Sequence, residues 1–242
     1  MPLCGTPILL FILSNFYFIV YIGYQKEKGG INLVKEIKLI KYADTFLSED
    51  QIFKGGEKEK IRPIIFGIYF IRTEDRLILV DAGCETMPGF DMRNFLSPVK
   101  ALKDETGIDA KDITDVIITH SHHDHIEALF RFENARVHIQ QEEYHEALCN
   151  IPENMKVNTF EDSFELEEGI RIIKIGGHSI GSCIVEVDLH DKVYVVCGDE
   201  CYQRENLLNK IPTGCSVNPE KSEEFIEKYS SPLYETLLCH DL

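Results

Sequence analysis

The chain has 242 residues, 44% of them hydrophobic, and a formal net charge of −16. That length suits one large domain or two small ones with a substantial core. So acidic a surface repels phosphate backbones and no basic run longer than "KEK" interrupts it, which argues against nucleic acid as a partner.

Residues 8–22, "ILLFILSNFYFIVYI", are apolar except for Ser14 and Asn15. Spanning a bilayer takes roughly 20 residues, so this run needs its flanks to qualify. The first basic residues, Lys26 and Lys28, would leave the body of the protein in the cytoplasm. Two readings stand: a cytoplasmic protein with an N-terminal extension, or a cytoplasmic domain in contact with a membrane through residues 8–22. "EKGG" at 27–30 reads as a linker, so 1–33 is set apart from a folded domain over 34–242.

Within that domain "EIKLIKY" alternates like a half-buried strand, and "IIFGIYFI" and "LILVDAG" read as buried strands. "PVKALKDET" has helical spacing after Ser97, a suitable N-cap. "DVIITH" is a buried strand, "IEALFRF" a short helix, "ARVHIQ" a strand and "QEEYHEALC" a helix. The acidic stretch "EDSFELEE" reads as a solvated turn. "GIRIIKIGGHS", "CIVEVDL" and "KVYVVCGDE" predict three more strands, and "NPEKSEEFIEKY" a helix starting at Asn218. "YETLLCHDL" is a last apolar run. Strands with interspersed helices predict two packed sheets with helices on their outer faces. The eight cysteines form no Cys-x-x-Cys pair and read as buried thiols of a reducing compartment.

"THSHHDH", residues 119–125, carries the chemistry. His120 and His122 are two apart, so on an extended segment both imidazoles point the same way and reach one ion. Asp124 and His125 follow as the chain turns toward a helix and can reach a second. Imidazole and carboxylate suit Zn²⁺, and also Mn²⁺, Fe²⁺ or Co²⁺. Three further donors stand at the ends of apolar strands: His178 in "GGHSIGS", Asp199 in "VVCGDE" and His240 in "LLCHD". Each alone reads more readily as a loop residue; their recurrence points to one site.

"THSHHDH" matches the His-x-His-x-Asp-His signature of the metallo-beta-lactamase superfamily. "DAG" at 81–83, "GHSIGS" and "GDE" resemble its other motifs, over about residues 35 to 242. Within it the chain most resembles the N-acyl homoserine lactonases, through "HIQQEEYHEAL", "GDECY", "NLLNKIPTG" and "CHD". The resemblance implies an α+β fold, a four-layer αββα sandwich, with two divalent metal ions, zinc first among them. It implies one ion on His120, His122 and His178, a second on Asp124, His125 and His240, and Asp199 between them. It further implies hydrolysis of a small-molecule lactone or related ester, hence quorum quenching. Asp124 would shuttle a proton, Tyr202 would face the substrate, and Asp81 would orient an imidazole.

The chain departs from the pattern in four places. Glu127 and Ala128 replace Gly-Gly, Ser182 replaces a histidine, and His123 stands where an apolar residue is common. The sequence also stops two residues past His240, which predicts a frayed, weakened second site. Two alternatives therefore accompany the lactonase reading: a glyoxalase II-like thioester hydrolase, and a non-catalytic metal-binding module.

Overall fold

The computed structural model describes residues 19–21, 34–189 and 192–241. Seven strands build the first sheet in chain order: β1 (Ile19–Tyr21), β2 (Glu36–Ser48), β3 (Ile61–Arg72), β4 (Leu77–Val80), β5 (Asp115–Ile118), β6 (Arg136–Gln140) and β7 (Lys156–Phe160). Neighbours from β1 to β4 are antiparallel, and those from β4 to β7 are parallel. The second sheet holds β8 (Ser163–Glu167), β9 (Ile170–Lys174), β10 (Cys183–Asp188), β11 (Val193–Val196) and β12 (Tyr234–Leu237), in the order β12-β11-β10-β9-β8. Its strands pair antiparallel, except that β11 and β12 run parallel. The α-helices are α1 (Glu49–Ile52), α2 (Pro98–Thr106), α3 (His123–Ile126), α4 (Gln141–Ala147), α5 (Arg204–Asn209) and α6 (Pro219–Tyr229).

The period of two along each strand sorts its side chains into layers. Ile78, Val80 and Ile117 of the first sheet pack with Ile172, Val185, Val187 and Val196 of the second. On the opposite face of the first sheet, Leu79, Val116 and Ile118 meet Ala101 and Leu102 of α2. On the outer face of the second, Ile184 and Val195 meet Leu207 of α5 and Phe225 and Ile226 of α6. Helix, sheet, sheet, helix: this is the expected αββα sandwich. Leu79 is fully buried in the outer layer. Leu79→Ala is expected to cost about 3 kcal/mol, read as a lower urea midpoint at unchanged slope.

Local signals account for the helix starts. Ser97 Oγ accepts from Lys100 N, and Asn218 Oδ1 accepts from Lys221 N, as N-caps do. Two elements differ from the sequence reading. "EDSFELEE" is not a turn: its centre is β8, with Leu166 buried against the inter-sheet core and Ser163 and Glu165 exposed. "IEALFRF" is preceded by α3, which begins inside the histidine motif, and is itself a 3-10 turn over Glu127–Arg131. Most of the apolar segment 8–22 lies outside the described residues; its residues 19–21 are β1, paired antiparallel with β2. Among the described residues no helix is long and apolar enough to cross a membrane. Cys201 and Cys239 are buried as packing thiols, whereas Cys149 is exposed.

Candidate metal centre

Every donor stands just past a strand end. Asp81 follows β4, His120 follows β5, and His122 is the residue before α3, whose first turn holds Asp124 and His125. His178 lies in the turn between β9 and β10, Asp199 in a 3-10 turn after β11, and His240 after β12. β4 and β5 are parallel neighbours, as are β11 and β12, so their C-terminal ends open onto one edge of the sandwich.

The structure brings all seven predicted donors together. His120, His122, His178 and Asp199 form one group, and Asp124, His125 and His240 another, with donor atoms within 4.8 Å of one another in each. His122 Nδ1 is 3.0 Å from His120 Nε2 and 2.9 Å from His178 Nε2. Asp199 spans the two groups: Oδ1 is 3.0 Å from His125 Nε2 and 2.9 Å from His240 Nε2, and Oδ2 is 3.4 Å from His178 Nε2. Asp124 Oδ2 lies 3.5 Å from His125 Nε2 and 3.9 Å from His240 Nε2.

The surroundings decide which nitrogen of each ring carries the proton. His125 Nδ1 donates to Asp81 Oδ2 at 2.7 Å, and His240 Nδ1 donates to the Ile65 carbonyl at 2.8 Å. Thr119 Oγ1 gives its proton to Asp81 Oδ2, so it accepts from His120 Nδ1 at 3.1 Å. In the neutral rings, all three Nε2 atoms then carry lone pairs directed inward. Inside they meet other acceptors, the oxygens of Asp199 and Asp124. His125 Nε2 is buried with no hydrogen-bond partner at all. Imidazole nitrogens and carboxylate oxygens packed this closely around Asp199 share positive charge, and the donor set of imidazoles and carboxylates fits divalent metal.

Burial opposes charge on His125 and His240, but Asp199 more than offsets it and raises both. Burial, and next the neighbouring His125, hold His120 well below the usual imidazole range; burial lowers His178 to about 4. Burial opposes the charge on Asp199, but His125, His240, His120 and His178 more than offset it and keep the carboxylate ionised. Burial, then the charge of Asp199, pushes the Tyr202 phenol well up. Its hydroxyl therefore stays protonated and donates to Asp199 Oδ2 at 2.8 Å.

His240 is not frayed. It is 2% exposed, and its carbonyl accepts from Ile65 N at 3.2 Å. Asp241 Oδ2 accepts from Arg204 N at 2.9 Å, which fixes the following residue. Asp81 does what a residue behind a ligand does: one oxygen holds His125, the other accepts from Thr119 N at 2.8 Å. Its φ of 66° is a left-handed turn that aims the carboxylate back at β5. Asp81→Asn is expected to weaken metal affinity by about 10–100-fold, measured by chelator competition.

Three supporting residues carry no ligand chemistry and were missed in the sequence. Glu143 Oε2 accepts from Ser121 N and Ser121 Oγ at 2.8 and 2.6 Å; its Oε1 accepts from Ser179 Oγ and Gly181 N at 2.6 and 2.9 Å. Burial opposes its charge, yet these bonds hold its pKa below the usual value. Glu200 Oε1 accepts from Gly177 N, His178 N and Ser182 Oγ at 3.1, 3.2 and 2.5 Å, while burial pushes its pKa up to about 7. Ser182, the departure from the family's histidine, is thus the partner of this glutamate. Tyr42 sits at a register shift between Lys41 and Ala43, where the bulge turns its hydroxyl to donate to the Asp124 carbonyl at 3.1 Å. The glutamates stood in the quoted runs "QQEEYHEAL" and "GDECY", the one local signal available.

Above the donors lies a cavity of ≈ 350 Å³. Leu47, Ile64, Phe66, Met87 and Phe90 form an apolar wall, and His122, Asp124, Asp199, Tyr202 and His240 face it. Gln51, His123, His178 and Cys215 complete the lining, and among the described residues no lysine or arginine lines it.

An αββα sandwich thus gathers imidazoles and carboxylates at one edge of its sheets. Residues 68–239 match the family model of the metallo-beta-lactamase superfamily, and the chain belongs to that superfamily. A probable metallo-hydrolase of Methanocaldococcus jannaschii is 32% identical over 143 residues, 57% of this chain and 60% of that relative's length. Among solved structures, a B. thuringiensis AiiA mutant with N-decanoyl-L-homoserine bound at the active site superposes with a TM-score of 0.76 at 21% identity, covering 87% of this chain and 94% of that one. AidC, a dizinc quorum-quenching lactonase in complex with its product, gives 0.70 at 17% identity, covering 87% and 89%. At such identities these two show the shared fold.

Proposed function

We propose that the protein is a dinuclear metal-dependent hydrolase that opens lactones or related uncharged esters. The observation that carries this reading is the pair of donor groups joined through Asp199 beneath a cavity walled by apolar side chains. His120, His122 and His178 would hold one divalent cation, and Asp124, His125 and His240 the other, with Asp199 serving both; zinc suits the donors best. When bound, such a pair supplies Lewis acidity and makes a water nucleophilic near neutral pH.

The chain's own residues do the rest. With the Asp199 oxygens engaged by the cations, the Tyr202 hydroxyl is free to turn its hydrogen bond from Asp199 to the substrate carbonyl oxygen, where negative charge develops. Asp124 faces the cavity, takes up the proton that the attacking water sheds and delivers it to the departing ring oxygen. Leu47, Ile64, Phe66, Met87 and Phe90 take up the apolar substituent and exclude water. The lining lacks the basic side chains that the carboxylates of a glutathione thioester would need, which favours the uncharged ester over the glyoxalase II-like alternative. The protein loaded with Zn²⁺ is expected to hydrolyse N-acyl homoserine lactones and simple lactones faster than glutathione thioesters. Two ions per chain by elemental analysis, with no turnover of any lactone, would remove this reading and favour a non-catalytic metal-binding module.

A further inference from the structure

The two departures at Glu127 and His123 meet on one segment of chain. Between β4 and α2, residues 83–90 cross the cavity and present Met87 and Phe90 to it. The helical stretch 123–131 grips this segment four times. His123 Nε2 donates to the Thr86 carbonyl at 2.8 Å. Glu127 Oε2 accepts from Glu85 N at 2.6 Å. Ala128 N donates to the Gly83 carbonyl at 2.9 Å, and Arg131 donates through Nε and NH2 to both oxygens of Glu85 at 2.8 and 2.7 Å. Beyond the cavity, Arg93 exchanges two backbone bonds with Asp44 of β2, at 2.8 and 3.0 Å. Met87 and Phe90 are therefore held between two fixed points, with Phe90 edge-on to Phe66 at 6.5 Å between ring centroids.

We infer that His123 and Glu127 are positioning residues that pin residues 84–90 as a rigid cavity wall and thereby set the length of acyl group the site accepts. Side chains are necessary for this. A Gly-Gly pair at 127–128 can offer backbone groups only, and an apolar residue at 123 has no donor for Thr86. A wall fixed before binding costs no ordering on association, so it discriminates between acyl groups by shape.

This inference rests on the ester-hydrolase reading, and its test separates the two. Glu127→Gly, His123→Ala and the conservative Glu127→Gln are compared with the parent, all loaded with Zn²⁺ to equal content. Two quantities are read: amide hydrogen exchange over 84–90, and kcat and KM for N-hexanoyl and N-decanoyl homoserine lactones. In Glu127→Gly and His123→Ala, exchange at Glu85 is expected to rise about tenfold or more. The ratio of KM values for the two lactones should change by about tenfold, with kcat within roughly twofold of the parent. Glu127→Gln, which keeps an acceptor for Glu85 N, should restore both. A parent that cleaves neither lactone defeats the functional reading. A parent that cleaves them, with variants whose KM ratio is unchanged, defeats this inference whatever the exchange rates do.

Discussion

Asp199→Ala is expected to leave the protein with less than one bound ion per chain and to lower hydrolysis by about 10³-fold or more. The two oxygens of Asp199 lie between the groups. Its Oδ1 faces His125 and His240, and its Oδ2 faces His178 and His120, the last at 3.7 Å. Removing it takes away the one buried negative charge that both clusters of inward lone pairs share. Asparagine should fare little better, because it keeps the shape but replaces one acceptor with a donor and loses the charge. Elemental analysis and a lactone assay read the two effects separately. The parent should also lose thermal stability on chelation, since metal binds the folded state alone, and the variant should show little further loss. Two tightly held ions in Asp199→Ala would refute the shared role.

Glu143→Ala should have the second largest effect, although it touches no metal ligand side chain. The carboxylate ties the turn holding His120 and His122 to the turn holding His178, with two bonds to each side. It is 3% exposed, so its loss strands four donors in a dry setting. A stability loss of about 3 kcal/mol is expected, with metal affinity down about 10–100-fold. Gln at 143 should lie between: its single oxygen serves one turn, and its NH2 can find the Ser179 hydroxyl but opposes the Gly181 N–H. Urea unfolding and chelator competition measure the two losses. An alanine variant with parental stability and affinity would mean the turns hold themselves.

Local chemistry made much of this legible in the chain. The spacing of His120, His122, Asp124 and His125 is a short-range property, and so are the short apolar runs of β4, β5, β10 and β11. The Ser97 and Asn218 caps are equally local. What stayed hidden depended on distant partners or on masked periodicity. In β8 the alternation of Phe164 and Leu166 with Ser163 and Glu165 is present, but dense acidic residues disguise an edge strand as a turn. α5 is short and rests on a reciprocal bond pair between Gln203 and Asn206, too few residues to show a helical period. The burial of His240 comes from Ile65 on β3, 175 positions away. The bracing role of Glu143 needs two turns that meet only after both sheets have docked.

The donors are divided between the sheets, four of them in residues 120–125 and three beyond residue 177. This division has a consequence for biosynthesis. A ribosome delivers the first four together, while the partner strands of the second layer are still untranslated. His240 arrives only when β12 adds to the rim of that layer beside β11, so closure of the second donor group waits on the docking of the two sheets. Without metal, that edge of the second layer would lose what ties β12 to the histidine motif of the first.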